Sequence, residues 1–464
     1  MGNKALKTLF IIICTAVILS LIFTGCSLFG EGKEQAPEET VTEEEDETAQ
    51  EEIAASSIIT TITLWDCLEP RERMALMESR DQFLSAYRDI NLETRHFRSQ
   101  EELEDQFEAA SLAGAGPQLL LLDFDGVYRL APSNVVKEIV DEVDYAFVLD
   151  GLKEISAYNS RDYVIPFRAY NMLTLFYNED IVENIPRDFE EVFAYIEQVN
   201  ALENEEEDIG QYGFLLNESQ ADWIIPFVGG YNGWIIDYAS SSLTLDSAAM
   251  EKTLEFLDYS YTQTGLLEGG LEYGDISELF KTGAAHMIID YYSNAEEYEE
   301  AGIDVGLAKI PRVWEGTRYP TPNISGLGFM ININTYEEQL DASREFIDFM
   351  ISQDIQDGWN SSTLTLPAFT NLEESSDPLI GAALEQAGVC RGKPYDQILM
   401  VIINAINDNV ESLLAGDIIP GDAALKIQED AIRLRSGIAP LEPKQEEVQE
   451  EDGNAENNDS RENQ

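Results

Sequence analysis

The stretch Ile58–Leu64, which reads IITTITL, decides the fold class of this chain. Its residues are β-branched or apolar, as is typical of a strand that is largely buried. A helical pattern follows over residues 71–89, and its apolar face is predicted to carry Met74, Met77, Leu84 and Tyr87. A second apolar run, LLLL at 119–122, comes after the turn signal GAGP. Strands that alternate with helices in this way predict an α/β fold.

Later segments continue the alternation. The sequence PRDFEE predicts the start of a helix, with Asp188 as its cap and Glu191 reaching back to the amide of the cap. Residues 246–264 carry apolar side chains at helical spacing. A helix over about 340–352 is predicted to follow a strand at 329–333. No repeat of solenoid length is visible.

The N-terminus combines a short basic head with an apolar run, Leu9–Phe23, that ends in Thr24-Gly25-Cys26. This arrangement resembles a bacterial lipoprotein export signal, in which a peptidase cuts before the cysteine and the cysteine is lipidated. It predicts a signal peptide at 1–25 and a lipid at Cys26. The protein would then be extracytoplasmic and anchored to the cell membrane or an outer membrane. The alternative is an uncleaved transmembrane helix, because the run approaches the length that spans a bilayer.

Acidic residues are abundant in the segments on either side of the body and in the chain as a whole. Residues 26–57 and 437–464 have few large apolar side chains, so they are predicted to form a disordered linker and a disordered tail. The chain has 89 acidic and 28 basic residues, a formal net charge of −61. Such a surface repels nucleic acid and anionic lipid, so neither is expected as a partner. We interpret the acidity as a solvated surface, with attraction of a cationic ligand or metal as the alternative.

The cysteines limit the chemistry further. Cys67 and Cys390 are the two that lie in the body, far apart in sequence. They could form one disulfide in an oxidising compartment, but two small buried hydrophobic side chains are the favoured interpretation. Two such cysteines exclude a zinc site built from a cysteine cluster.

A series of short signatures runs through the body in a fixed order. The signatures are ITLW at 62–65, IP at 165–166, FYNED at 176–180, PRDFEEV at 186–192, QYG at 211–213, FKTGAAHM at 280–287, SGLG at 325–328 and LPA at 366–368. Taken together, they resemble the extracellular solute-binding proteins of ABC importers, in the sugar-binding group that includes the maltose-binding protein. The resemblance covers residues from Ile58 to Arg435.

The resemblance implies a two-lobed fold of the periplasmic-binding-protein type, with a hinged cleft between the lobes. By position, lobe one is expected at 58–168 with 322–366, and lobe two at 169–321 with 367–436. A ligand that contacts both lobes would close the hinge. The implied partners are a small-molecule solute, expected to be an oligosaccharide, and the subunits of an ABC permease. The chain is expected to be a monomer without a cofactor or metal.

Sugars bind through polar groups that pair with their hydroxyls and through aromatic rings that pack on their C–H faces. Such residues follow the strands here, at the edge where ligands of open α/β sheets bind. The predicted ligand-binding residues are Trp65, Asp66, Asp125, Arg168, Tyr170, Asp222, Trp223, Asp290, Tyr291, Tyr292, Asn323 and Tyr395.

Several of these residues have a structural alternative. Trp65 and Trp223 could be core residues, and Arg168 could pair with a carboxylate. Tyr291 and Tyr292 point to opposite sides of an extended segment, so at most one should stack on a ligand. We expect His286 to be a partly buried histidine with satisfied hydrogen bonds, not a ligand contact.

The sequence offers few residues or motifs for catalysis. The chain has two histidines, His96 and His286, and carries no convincing nucleophile elbow, Walker loop or dinucleotide fingerprint. The chain is therefore predicted to be a binding protein and not an enzyme. Two alternatives stay open: a surface-anchored sensor or scaffold of the same fold, and a glycosidase that uses two of the many carboxylates.

Overall fold

The computed structural model describes residues 59–140, 143–203, 210–264, 266–267, 270–372, 375 and 377–436. These residues belong to one compact unit that begins at Ile58. The predicted signal peptide at 1–25, the lipidation site Cys26, the linker at 26–57 and the tail at 437–464 lie outside the described residues. Within the described ranges, no helix has the length and apolar character needed to cross a bilayer.

Short and long strands alternate with helices along the chain. The strands are β1 (Thr60–Asp66), β2 (Ile90–His96), β3 (Leu119–Asp123), β4 (Ala157–Tyr158), β5 (Arg161–Asp162), β6 (Ile165–Tyr170), β7 (Leu173–Asn178), β8 (Ile236–Asp237), β9 (Ser242–Leu243), β10 (Met287–Tyr291), β11 (Val305–Ala308), β12 (Asn323–Ile331), β13 (Leu366–Pro367) and β14 (Arg391–Gly392).

The helices cover the faces of the sheets. They are α1 (Pro70–Ala86), α2 (Gln100–Leu112), α3 (Val127–Leu130), α4 (Asp150–Ile155), α5 (Phe189–Glu203), α6 (Ala221–Gly230), α7 (Ala248–Tyr259), α8 (Tyr273–Lys281), α9 (Ala295–Glu300), α10 (Glu337–Met350), α11 (Gln353–Ser362), α12 (Pro378–Ala387), α13 (Asp396–Leu414) and α14 (Pro420–Arg435).

The first lobe is built on a seven-stranded sheet with the order β13-β6-β12-β3-β1-β2, in which β14 also pairs with β12. β1 lies parallel to β2 and β3, whereas β12 runs antiparallel to β3 and β6. The apolar runs that predicted strands become its centre, because Ile62, Leu64 and the four leucines of β3 are fully buried. The ends of β1, β3 and β6 and the start of β12 therefore meet at one edge of the sheet.

The second lobe is built around a three-stranded sheet with the order β10-β7-β11. β7 is buried along its whole length, and β10 and β11 both pair with it in antiparallel register. Its core includes Phe189, Trp223, Phe227, Leu254 and Ile402, which come from the helices around the sheet. Because Tyr291 pairs with Leu173, the end of β10 and the start of β7 share one edge.

The chain crosses between the two sheets through short segments. β6 of the first sheet ends at Tyr170 and β7 of the second begins at Leu173. Between them, Asn171 has a φ of 60°, a left-handed conformation that asparagine tolerates better than most residues. β12 returns the chain to the first sheet at Asn323. The two edges that carry the predicted ligand-binding residues are thus joined by these crossings.

Two local predictions differ from the structure in detail. Asp188 caps α5 as predicted, since its Oδ1 accepts from the amide of Glu191 at 3.1 Å. The Glu191 carboxylate, however, accepts from the amide of Arg187, one residue before the cap. In α1 the prediction for Met74 is wrong: Met74 is 73% exposed, while Leu76 and Phe83 fill the core.

Both body cysteines are free thiols. This favours the interpretation of Cys67 and Cys390 as two separate side chains over the disulfide. Burial raises the pKa of the Cys67 thiol to about 12, so it is a weak nucleophile at neutral pH.

Candidate functional site

Asp123 and Asp125 form the first-lobe wall of the site. Asp123 ends β3, and its side chain bends the chain into a short turn, because Oδ1 accepts from the amide of Asp125 at 2.8 Å. Its other oxygen accepts from the hydroxyls of Tyr170 and Ser325, which come from β6 and β12. Asp123 is therefore a cap, and Asp125 is the carboxylate that lies free of this cap, at the site.

Asp125 faces a lysine that sequence reasoning did not select. The Lys393 ammonium lies 3.5 Å from Asp125 Oδ2 and donates to Asp396 Oδ1 at 2.7 Å. Burial raises the pKa of Asp125 to about 8, and the negative charges of Asp123 and Asp396 add to this shift, whereas Lys393 opposes it. At neutral pH the Asp125 carboxyl can therefore hold a proton and both donate and accept hydrogen bonds.

The second-lobe wall presents an aromatic ring beside a carboxylate. Tyr291 ends β10, and its ring meets Trp223 edge-on with centroids 5.3 Å apart. Asp222 lies in the first turn of α6, next to Trp223. Burial raises the pKa of Tyr291, and the nearby charge of Asp222 raises it further. Burial also raises the pKa of Asp222, and the charge of Lys393 opposes that shift. This wall combines a ring face with a hydrogen-bonding group.

Beside Lys393 lies a small cavity of about 20 Å³, which the second-lobe wall lines through Asp222 and Tyr291. Its lining residues come from both lobes and from the crossings: Asn171, Leu173, Asp222, Tyr291, Asn323, Lys393 and Leu399. Asn323 Oδ1 is buried there without a hydrogen-bond partner. A buried acceptor without a partner is costly, so a ligand hydroxyl placed here would satisfy it.

A larger groove of about 1120 Å³ is lined by other residues of the segment that follows Lys393, namely Pro394, Tyr395, Gln397 and Ile398. It is lined by Tyr128 and Tyr158 of the first lobe and by Tyr238 of the second, with Tyr395 between them. Tyr395 and Tyr128 pack with ring centroids 5.2 Å apart. The predicted residue Tyr395 therefore lines this groove, whereas Asp222, Tyr291 and Asn323 line the cavity.

The remaining predicted residues are buried behind the walls with protein partners. Asp66 is fully buried and bonds to Arg73 and to His96 Nδ1, the latter at 2.7 Å. Arg168 is also fully buried and donates to Thr365, Gln356 and Asn360. Its guanidinium is thus held inside the first lobe.

Trp65, Trp223, Asp290 and Tyr292 are each at most 8% exposed. The Trp65 ring packs against Phe97, and Trp223 Nε1 donates to the carbonyl of Ile289 at 2.6 Å. Asp290 accepts from Tyr273, Asn294, Tyr298 and the amide of Tyr291. Of the adjacent tyrosines, Tyr291 alone lines the cavity.

His286 has the role expected from the sequence. Its ring nitrogens lie 2.9 Å from the Tyr195 hydroxyl and 2.8 Å from Gln211 Oε1, so both are satisfied. Burial lowers the pKa of His286. Among the described residues, no group of three or more His, Cys, Asp and Glu side chains is arranged to hold a metal ion.

Sequence reasoning missed Lys393, Asn171, Leu173 and Leu399 as lining residues. Lys393 stands between Gly392 and Pro394 in a segment without periodicity, so neither a helix nor a strand pattern points to it. The signal that could have found it is the charge: Arg391 and Lys393 are two cations shortly before Asp396 in a strongly acidic chain.

Comparisons with known proteins identify the family and the fold. The model of the family described as bacterial extracellular solute-binding protein matches residues 78–383. The galactooligosaccharide-binding protein of Bacillus subtilis is 24% identical over 282 residues, which cover 58% of this chain and 63% of that protein. A maltooligosaccharide ABC transporter solute-binding lipoprotein of Streptococcus pneumoniae is 23% identical over 302 residues, 61% of this chain and 68% of that protein.

A solved structure gives the same answer for the fold. The extracellular solute-binding protein from Staphylococcus aureus in complex with maltose superposes with a TM-score of 0.70 at 19% identity. The match covers 82% of this chain and 99% of that one. The predicted two-lobed α/β fold is therefore confirmed. Because the family match covers more than half of the sequence, the chain belongs to the bacterial extracellular solute-binding protein family.

Proposed function

We propose that this chain binds an oligosaccharide in the cleft between its lobes and delivers it to an ABC permease. One observation carries the proposal: Asp222, Tyr291, Asn323 and Lys393, which come from both lobes and the crossings, line a single cavity. At about 20 Å³ the cavity has room for a single hydroxyl, so the walls must separate before a sugar can enter and contact both of them. A ligand must make both contacts if it is to favour the closed form.

The chemistry of the walls suits a sugar. Asp125, Asp222 and Asn323 supply acceptors for hydroxyl groups, and the Lys393 ammonium supplies donors. The Tyr291 ring, supported edge-on by Trp223, provides a face for the C–H groups of a sugar ring. One relative is named a galactooligosaccharide-binding protein and another a maltooligosaccharide transporter's solute-binding lipoprotein, and these names support the same ligand class.

The residues behind the walls take a supporting role in this proposal. Asp66, Arg168, Asp290 and Tyr292 already have protein partners, so they hold the strand ends in position. Tyr170 acts through Asp123, to which its hydroxyl is bonded. The lobe boundaries at 58–168 with 322–366 and 169–321 with 367–436 belong to the same proposal.

We place the protein outside the cytoplasm, anchored by a lipid on Cys26. The export signal in residues 1–25 motivates this assignment, and the pneumococcal relative is itself named a lipoprotein. The acidic residues 26–57 would then separate the membrane from the lobes. Replacing Cys26 with serine should release the protein from the membrane fraction of the producing bacterium, and retention would contradict the anchor.

A thermal-shift panel tests the binding function. Maltotriose, maltotetraose and a galactotriose are added to the purified protein, and the melting temperature is recorded. A ligand at about 100 times its dissociation constant adds about 2.7 kcal/mol of stability. Recovery of the sugar unchanged after incubation separates a binding protein from a glycosidase.

Matched variants locate the site. Asp125→Ala and Tyr291→Ala should abolish the thermal shift while the proteins stay folded. Asp354→Ala, at an exposed position of α11, is the control and should respond as the wild type does. If Asp125→Ala and Tyr291→Ala both keep the wild-type response, the cleft assignment is wrong.

A further inference from the structure

Lys393 enters the cleft on a fixed piece of backbone. The strand β14 pairs with the start of β12, and the amide of Lys393 donates to the carbonyl of Ile324 at 2.9 Å. Pro394 follows directly, and its ring restricts the backbone on that side. Because the backbone is fixed, only the side-chain stem of Lys393 can move, and the ammonium stays at the cleft.

The ammonium is shared between carboxylates of both walls. Asp125 follows a strand of the first lobe, whereas Asp396 begins α13, which packs into the core of the second. Asp123 and Asp222 are close enough for their charges to interact with that of Lys393. The Lys393 and Asp125 side chains are only 12% and 13% exposed, so water and salt screen the interaction between these two weakly, whereas Asp396 is 66% exposed.

The neighbouring cation does not share this role. Arg391 lies two residues before Lys393, but its Nε bonds to Glu154 at 2.7 Å, and its guanidinium packs over the ring of Trp234. Even with a proton held by Asp125, the carboxylates around Lys393 outnumber its single positive charge. The cleft therefore depends on Lys393 for most of its local charge balance.

We propose that Lys393 determines which ligand charge the cleft accepts, so that it selects neutral oligosaccharides and rejects those that carry an amine. This inference rests on the proposed carbohydrate function. A neutral sugar accepts hydrogen bonds from the ammonium and donates its own to Asp125 and Asp222. Because Asp125 and Asp396 are already engaged by the ammonium, an amine that replaces a hydroxyl bonded to Lys393 would lie against its like charge, and an acidic group placed against the carboxylates would lie against theirs.

Removal of the lysine charge should reverse this preference. The carboxylates would then share a poorly screened space without their counter-ion, which is unfavourable. An amine on the ligand can take the place of the ammonium. Lys393 is thus a specificity-determining residue that also joins the two lobes.

The test compares the affinities of one neutral sugar and its amine derivatives by isothermal titration calorimetry. The probes are maltotriose, or a galactotriose if the thermal-shift panel favours it, and the same sugar with one hydroxyl replaced by an amine. Lys393→Met and Lys393→Gln remove the charge, and two variants are used in case one fails to fold. Lys393→Arg keeps the charge. Lys309→Met is the matched control, since Lys309 pairs with Glu385 at 3.1 Å and lines neither the cavity nor the larger groove.

The wild type, Lys393→Arg and Lys309→Met should all bind the neutral sugar more tightly than its amine derivatives. In Lys393→Met or Lys393→Gln, the ratio of the two affinities should move toward the amine by about tenfold or more. An unchanged ratio in a folded charge-free variant, or a wild type that prefers the amine, overturns the inference and leaves the proposed function standing. A wild type that binds no neutral sugar overturns the proposed function, and this inference falls with it.

Discussion

Asp125 lies just after a strand of the first lobe, and Asp290 lies near the end of a strand of the second. Both carboxylates have little exposure to water, yet their surroundings differ. Burial raises the pKa of each. Asp290 accepts hydrogen bonds from Tyr273, Asn294 and Tyr298, which all belong to its own lobe. Asp125 instead faces Lys393, whose ammonium it shares with Asp396. Burial alone therefore does not distinguish a candidate ligand-binding carboxylate from a structural one. A carboxylate whose hydrogen bonds are already filled by donors of its own lobe, as in Asp290, has a structural role.

The two walls of the cleft differ for the same reason. The first lobe turns its carboxylate outward, because Asp123 has taken the capping role and collects the bonds from Tyr170 and Ser325. The second lobe keeps Asp290 inside and presents Tyr291, the next residue, to the cavity. A polar wall thus faces an aromatic one, the combination that a sugar ring requires.

The largest expected effect separates the two aspartates by their contribution to stability. Asp290→Ala leaves several buried donors without an acceptor and should lower the free energy of unfolding by about 3 kcal/mol or more. Asp125→Ala should change it by less than about 1 kcal/mol, because Lys393 keeps its bond to Asp396. Urea denaturation monitored by circular dichroism measures both values. Equal losses would show that the two carboxylates have the same structural role.

The pH dependence of stability sharpens the comparison. The folded-state pKa of Asp125 is about 8, above its ordinary value near 4, so the folded protein holds a proton that the unfolded chain releases. This contribution is complete below pH 4 and is lost as the pH rises to about 8. The charges of Asp123, Lys393 and Asp396 all act on this carboxyl.

Asp125→Asn removes this titration. The difference in unfolding free energy between wild type and Asp125→Asn, measured without ligand from pH 4 to pH 9, should change by several kcal/mol in favour of the variant, since a pKa difference of one unit corresponds to about 1.4 kcal/mol. Asp354→Asn, at an exposed position, should show a constant difference. A flat difference for Asp125→Asn as well would mean that its carboxyl is already ionised in the folded protein.

Much of the fold follows from the sequence because buried strands need continuous apolar runs. IITTITL and LLLL predict β1 and β3, which lie side by side in the sheet. The strand at the crossing was harder to place: 329–333 is predicted, but β12 runs over Asn323–Ile331. Its first residues include two glycines and two polar side chains, which have low strand propensity, and pairing with β3 and β6 overrides that preference.

The candidate site was predictable in part. Polar and aromatic residues could be selected from their positions along the chain, and three of those selected, Asp222, Tyr291 and Asn323, line the cavity. What a sequence does not contain is the partner of each side chain. Arg168 has the chemistry of a ligand contact, but Gln356, Asn360 and Thr365, all distant in sequence, enclose its guanidinium. Lys393 reaches Asp125 only through the tertiary fold.

The smallest expected effect comes from two tyrosines that donate to these aspartate networks. Tyr298→Phe removes a hydroxyl bonded to Asp290, and Tyr170→Phe removes one bonded to Asp123. Each should cost about 1 kcal/mol of stability, because one hydrogen bond is lost from a carboxylate that keeps other donors. If the second-lobe network is structural and the first-lobe network positions the ligand carboxylate, only Tyr170→Phe should also weaken sugar binding. Calorimetric titration of both variants, each compared with wild type, would refute this division if Tyr298→Phe lost the greater affinity.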